Sequence, residues 1–522
     1  MKPQLQRLAD ELITSFAGVD PATWPFTQIV YVALMFAAAG IVFAFAAHFA
    51  GIFIFFERRI AGRMQARVGP NRVGPNGILQ FVTDGLKCLF KEDLVPTEAD
   101  QALFRLAPYF VVLGMVLAFA AMPFSSNLIA TDINIGILFV LGVTALVAIG
   151  VLMSGWGSNS KWALLGGMRS AAQVISYEIP AGLAAMTPII LAGSLSMQDL
   201  IKSQGGGLAE GGGVWNWAFF HSPFVALSFF IFFIAQLAEG NRTPFDLPEA
   251  ESELVSGYNT EYSGMRFLMF FLGEFANVWI LCALPVVLYF GGWQIPFGTL
   301  ADGATPAPWV VNASPYILSV MMAGAAIPAL MIGLAIWKYR TNATNAINKA
   351  QIPGLWPAQT RLVLKLGLWA LMLGHIAGAV GLVGGAFGHL KIEHALFLEW
   401  RQVIAINGLQ LGIFVAKTAV LVFIVIQLRW TLPRIRIDQM MTLCWKYLVP
   451  LSFVCVIGTL VWELTIAKIG VAATGVRILM MLASIAIVAM YIKRIKFNYE
   501  ETREHYEGYR GVPQYFPPWR LP

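Results

Sequence analysis

Residues 238–264, AEGNRTPFDLPEAESELVSGYNTEYSG, separate two apolar runs, and their reading decides how the chain folds. The flanking runs, 219–238 and 266–291, each have the ~20 apolar residues that a helix needs to cross a bilayer. Between them stand Glu239, Asp246, Glu249, Glu251, Glu253 and Glu261, with one base, Arg242. Pro244 and Pro248 turn the residues before them away from helix, so the first half reads as a turning loop. The second half can restart a helix, with Glu249 and Glu253 on one face and Glu251 pointing elsewhere. A solvated acidic loop explains this composition. A set of coupled carboxylates sharing protons explains it too. The single base among six acids is expected to pair with a carboxylate of its own loop.

Working outward, apolar runs recur along the whole chain. Of 522 residues, 58% are hydrophobic and 12% charged, and the mean hydropathy is +0.68. A soluble chain of this length would divide into domains. Here the runs predict an all-α polytopic membrane protein, one integral membrane domain over 1–522. The first span is 26–56. Others lie near 104–122, 133–154, 170–194, 219–238, 266–291, 314–337, 363–387, 405–430, 446–466 and 474–492, about eleven in all. No internal repeat supports an inverted-repeat transporter.

Several functions are disfavoured. The four cysteines, Cys88, Cys282, Cys444 and Cys455, form no C-x-x-C and no Cys/His cluster. That argues against a metal, cluster or haem site in this chain. No glycine-rich phosphate loop follows a strand, which argues against nucleotide binding. The net charge of +6 reads as loop charge rather than a nucleic-acid footprint. Met1–Pro25 lacks the cleavable apolar core of a signal peptide.

The most basic loop is 57–100, opening ERRIAGRMQARVGPNRVGPNG, whose doubled G-P-N is turn chemistry. After it, Ile78, Val82, Leu86 and Leu89 recur at helical spacing, broken by Asp84, Lys87 and Lys91. This run is too short and too charged to span. An amphipathic helix in the membrane interface fits it, and so does a plain surface helix. Alternate loops (57–105, 155–170, 239–266, 338–365, 429–446 and the tail from 493) hold about 27 of the 35 Lys and Arg. Those loops are expected in the cytoplasm, with the N-terminus outside and the C-terminus inside.

Ionisable residues at membrane depth are costly and mark functional candidates. Glu178, in RSAAQVISYEIPAG, and Glu274, in FLMFFLGEFANV, are the leading carboxylates of this kind, and Glu463 is another ionisable group at membrane depth or its boundary. Glu178 and Glu274 are each open to a proton-exchanging role or to a structural hydrogen bond. Lys417 and Arg477 read as snorkelling side chains, and His48 and His375 as packed groups.

Three segments carry a resemblance to one family. Residues 57–93 (ERRIAGRMQARVGPNRVGPNGILQFVTDGLKCLFKED), 238–278 (AEGNRTPFDLPEAESELVSGYNTEYSGMRFLMFFLGEFANV) and 429–451 (RWTLPRIRIDQMMTLCWKYLVPL) resemble the H subunits of proton-pumping NADH–quinone oxidoreductase, respiratory complex I. SYEIPAG is a fourth anchor. The resemblance implies a membrane subunit that forms the mouth and lower part of the quinone chamber and the start of the proton path, where the peripheral and membrane arms meet. It implies a quinone chamber lined by Glu57, Arg58, Arg63, Arg67, Asp84, Arg242, Phe245 and Asp246. It implies a proton path through Glu178, Glu249, Glu251, Glu253, Glu261 and Glu274. It gives this chain quinone as substrate and no cofactor or catalytic residue of its own, the FMN and iron–sulfur clusters belonging to partner subunits. The partners implied are those cluster-bearing subunits, antiporter-like membrane subunits and lipids, in a bacterial inner membrane. The family core covers 26–293 and 405–466. Against the family's usual eight spans, 294–404 reads as an inserted helical hairpin and 467–522 as an extra span with a tail. The alternatives are the equivalent subunit of a membrane-bound hydrogenase or ferredoxin-driven pump, a proton-coupled secondary transporter, and a passive membrane anchor.

Overall fold

A computed structural model describes residues 27–73, 77–78, 80–205, 213–248, 251–296, 395–465 and 475–486, with isolated positions at 310–321 and 489–497. The described secondary structure is helical, without strands. The long helices are α1 (Thr27–Met64), α2 (Gln80–Phe90), α3 (Gln101–Ala121), α4 (Gly136–Gly157) and α5 (Lys161–Ala192). After the short α6 (Met197–Ser203) come α7 (Pro223–Glu239), α8 (Gly264–Tyr289) and α9 (Ala395–Thr431). The series closes with α10 (Ile437–Thr465) and α11 (Gly475–Ala486). Among the described residues seven helices are long and apolar enough to cross a membrane, and α7 and α11 are shorter apolar helices. The chain is therefore a polytopic membrane protein. The spans expected at 314–337 and 363–387 lie almost wholly outside the described residues.

Local sequence sets the boundaries. Asp100 caps α3 by accepting from the amides of Ala102 and Leu103, and Ser222 caps α7 with Pro223 in its first turn. Where the sequence suggested a loop from Glu57, α1 instead runs on unbroken through ERRIAGRM. Its 38 residues reach ~57 Å at 1.5 Å per residue, well beyond the ~30 Å of hydrocarbon. Arg and Met are good helix formers, and no Gly-Pro stops the helix before Gly69-Pro70. Likewise α5 begins at Lys161 rather than near 170.

Close packing follows from small residues. A Cβ on Gly150 of α4 would lie 3.0 Å from the Ala107 carbonyl of α3, so the two backbones nearly touch there. Phe81 of α2 covers Gly51 of α1, where a Cβ would come within 2.5 Å of the ring. The rest of α2 is unburied, with Val82, Leu86, Leu89 and Phe90 exposed. That face suits a helix lying in the membrane interface.

Pro180 in α5 cannot donate to the carbonyl of Ser176 four residues back. The Cys444 thiol donates to that carbonyl at 3.1 Å. One turn away the Tyr177 hydroxyl donates to the Met440 carbonyl at 2.9 Å. These two bonds fix α10 against α5 at Leu443–Leu448, where α10 makes a widened π-helical turn.

Candidate functional site

The loop between α7 and α8 is folded inward, held by one amide. Gln173 of α5, fully buried, donates to the Ala238 carbonyl at 2.7 Å, the Asn241 side-chain oxygen at 3.1 Å and the Phe245 carbonyl at 2.8 Å. Asn241 takes a left-handed conformation, φ 49°, which Asn tolerates better than most residues. Phe245 is buried and packs on Tyr177, ring centroids 5.4 Å apart. The segment after α9 closes over the loop, with Ile435 N–H donating to the Pro244 carbonyl at 3.0 Å.

This turn drives Arg242 into the protein, where it is 1% exposed. Its guanidinium lies 2.9 Å from Glu274 Oε1 of α8 and 3.7 Å from Glu57 Oε2 of α1. The Phe275 and Phe53 rings lie 4.5 and 5.6 Å from it, a cation–π clamp. Arg242 therefore pairs with acids from two distant helices, which the sequence did not suggest. Glu57 pairs also with Arg429 at the end of α9. Asp246 pairs with Arg434 at 3.1 Å. Burial holds the Asp246 carboxyl above the usual carboxylate range, although Arg434, Arg429 and Arg242 all pull it down. Three carboxylates and three guanidinia thus form one cluster across α1, the loop, α8, α9 and the segment beyond, with Glu57, Asp246 and Arg242 buried, Glu274 nearly so, Arg429 half-buried and Arg434 exposed.

A second acidic pair lies nearby. Glu239, at the end of α7, is 6% exposed. It accepts from Gln236 Nε2 at 2.8 Å, lies beside Thr144 of α4, and is within electrostatic reach of Glu178. Glu178 is half-buried on α5.

The remaining expected residues are placed differently. Arg58 reaches across to Asp84, bracing α2 on α1, and Gln80 donates to the same carboxylate at 2.9 Å. Arg63 and Arg67 are exposed, and Arg67 bonds to Gln65 at 2.7 Å. Glu253 is exposed and pairs with Arg169 at 2.7 Å. Glu261 is half-buried. Glu249 lies outside the described residues, and of Glu251 only its place at the start of a single turn, Glu251–Leu254, is described. Lys417 does not snorkel. Its ammonium donates to the carbonyls of Phe290, Gly292 and Gln294 at 2.8–3.1 Å, with the Trp217 ring 4.2 Å away.

Sequence reasoning missed Arg429, Arg434, Gln173, Gln236 and the burial of Glu239. The two arginines stood in RWTLPRIR, where excess positive charge explained them without a partner. The glutamines gave no signal, because a polar residue in an apolar run does not reveal what it faces.

Comparison with known proteins bears on what this site belongs to. The sequence matches the family described as NADH dehydrogenase over residues 36–347 and 369–460. It is 43% identical over 487 residues to the H subunit of NADH-quinone oxidoreductase from Anaeromyxobacter dehalogenans, covering 92% of this chain and 95% of that protein. It is 36% identical over 409 residues to the H subunit from Chlorobaculum tepidum, 78% and 86% of the two chains. It is 36% identical over 412 residues to the H subunit from Chlorobium luteolum, 78% and 83%. Motifs, helical membrane architecture and these likenesses agree: the chain belongs to the NADH dehydrogenase family, as an H subunit of NADH-quinone oxidoreductase, a membrane component of respiratory complex I.

Proposed function

We propose that this subunit forms the membrane end of the quinone chamber and passes the charge change of quinone reduction into a carboxylate path. Quinone would enter from lipid beside α1, α8 and α2, and its head would approach the loop carrying Arg242, Phe245 and Asp246. The path would run from Glu57, Asp246 and Glu274 toward Glu239 and Glu178. Glu249, Glu251, Glu253 and Glu261 belong to the same acidic stretch as an outer proton supply. Arg63 and Arg67, being exposed, would contact the partner subunits that carry FMN and iron–sulfur clusters and supply the electrons. Antiporter-like membrane subunits would lie at the far end of the path. The loops rich in Lys and Arg would face the cytoplasm of a bacterial inner membrane, with the N-terminus outside.

The observation that carries this reading is the buried ion cluster. Burying three acids and the Arg242 guanidinium is expensive, and hydrophobic residues of similar size would often stabilise the fold as well or better. A cluster of buried carboxylates and guanidinia, beside an apolar bundle, is suited to answer two-electron, two-proton reduction of a quinone. The test is Glu274→Gln in the assembled complex. It should lower quinone reductase activity and proton uptake together, with NADH oxidation by artificial acceptors and subunit content unchanged. Wild-type coupling would remove Glu274 from the path.

A further inference from the structure

At the end of the bundle away from the ion cluster lies a second group of titratable side chains. It stands one length of α7 from Glu239, about 26 Å for 17 residues at ~1.5 Å per residue. His221, in the helical turn Ala218–His221 that precedes α7, lies with Nε2 2.6 Å from Glu463 Oε1 of α10. Arg477 of α11 donates to Asn216 Oδ1 at 2.8 Å and lies within electrostatic reach of both His221 and Glu463. Two of these elements are locked together, because Phe224 at the start of α7 packs over Gly458 of α10 with no room for a Cβ. The third is held differently. No residue of α11 is buried, and Ile478, Leu479, Leu482 and Ile485 are exposed. Lipid tails are as apolar as these side chains, so burial gives such a helix little drive to dock, and its polar contacts decide. Arg477 is the one charge in Gly475–Ala486. Its Nε, though buried, has no hydrogen bond among the described residues, so the docked guanidinium is incompletely satisfied.

We propose that His221, Glu463 and Arg477 form a pH-sensitive latch for α11: while His221 is neutral the Glu463 carboxylate holds Arg477 in place, and when His221 gains a proton the helix is released. The inference is independent of the proposed quinone site. Histidine is the side chain whose charge ordinarily changes between about pH 5 and 8. With His221 neutral, the charges of Arg477 and Glu463 cancel, and the imidazole N–H donates to the carboxylate. With His221 protonated, two cations share one carboxylate and repel each other. The other titratable groups nearby do not offset the added charge. Asp199 and Lys202 of α6 pair with each other at 3.8 Å, and α7 carries no titratable side chain before Glu239. Tyr289 of α8 is bonded to Ser228 and to the Ala184 carbonyl, and Cys455 lies about two turns along α10 from Glu463. Lys417 of α9 is committed to the carbonyls of Phe290, Gly292 and Gln294. From the loop charges this end of the bundle is the one expected outside, the side that proton pumping acidifies.

The experiment uses the whole purified complex in lipid nanodiscs. Hydrogen exchange of residues 213–222, the segment that receives Arg477, is read at about pH 8 and about pH 5.5, either side of the ordinary histidine range, and corrected for the intrinsic rate. In the wild type the corrected exchange should rise roughly tenfold or more at the lower pH, because a unit charge added within several ångströms at an effective dielectric of about 20 is worth at least that factor. His221→Gln keeps a side chain that can donate to Glu463 but cannot take up a proton, so the segment should stay protected at both pH values. Arg477→Gln removes the charge that the latch holds, so the segment should exchange fast at both. The proposal is overturned if the wild type is as well protected at the lower pH as at the higher, or better. It is also overturned if His221→Gln is unprotected at the lower pH, or if Arg477→Gln matches the protected wild type. Should His221→Gln not assemble, the wild type and Arg477→Gln decide.

Discussion

Replacing Arg242 with Met should be among the most damaging single changes in this chain, and the geometry says which partner suffers. At an effective dielectric of about 20, an ion pair at 2.9 Å has a gross attraction of about 6 kcal/mol, and one at 3.7 Å about 4.5 kcal/mol. Glu57 keeps Arg429 when Arg242 is lost. Glu274 has Arg242 as its ion-pair partner among the described residues. Breaking a buried pair from one side typically costs about 3–5 kcal/mol, because the abandoned charge stays buried. The cation–π clamp adds about 1–2 kcal/mol. Arg242→Met should therefore sharply reduce assembled complex, read as subunit content on native gels and by thermal denaturation of what assembles. Adding Glu274→Gln removes the stranded charge and should recover much of the loss, with a coupling of about 2 kcal/mol or more. Arg242→Lys keeps the charge but not the fork, so it should assemble and turn over short-chain quinones slowly. If Arg242→Met/Glu274→Gln assembles no better than Arg242→Met alone, the stranded-carboxylate reasoning is refuted.

Gln173→Leu should release the inward loop, because three buried acceptors lose their shared donor. A cost of about 1–3 kcal/mol per orphaned group should appear as faster proteolysis of the 238–248 segment in detergent-purified complex. Asp246→Asn tests a pH dependence. Burial raises the Asp246 pKa, so the folded chain holds that proton to higher pH than the unfolded chain. This contribution to stability is full below the ordinary value near ~3.9 and is lost as pH rises through the raised value. Thermal stability of Asp246→Asn should lack that component of the decline, and an unaltered pH slope would assign it elsewhere. Lys417→Met should cost about 1–3 kcal/mol by baring the carbonyls of Phe290, Gly292 and Gln294 at the end of α8, seen as a lowered melting temperature. An unchanged melting temperature would mean that other donors replace the ammonium.

The helices were legible because bilayer length and hydropathy impose them whatever their neighbours, and α3, α4, α7 and α8 fall close to the apolar runs. Glu178 and Glu274 stood out for the same reason, as charges where charge is costly. Partners were not legible. Arg242 was read against the acids nearest in sequence, and the contribution of Glu57 and Glu274, brought to it because Gln173 folds the loop inward, could not be read there; Glu253 of the same stretch pairs with Arg169. The continuation of α1 through Glu57 was hidden because charged residues mark the end of a span, not the end of a helix. The burial of Glu239 could not be foreseen, since acidity in a connecting segment ordinarily means solvent.

The widened turn at Leu443–Leu448 makes that segment the place in α10 where chain length can change without a change of phase. Met440, before it, and Cys444, within it, are tied to α5. Downstream, Ser452, Cys455 and Thr459 form one buried stripe. A π-helical turn absorbs an extra residue within α-helical winding, so deleting the exposed Trp445 or Tyr447 would restore ordinary winding and leave the stripe facing inward. The same one-codon deletion beyond the turn, at 449–451, has no widened turn to absorb it. It would rotate everything downstream by about 100° and turn the stripe of small polar side chains outward to lipid.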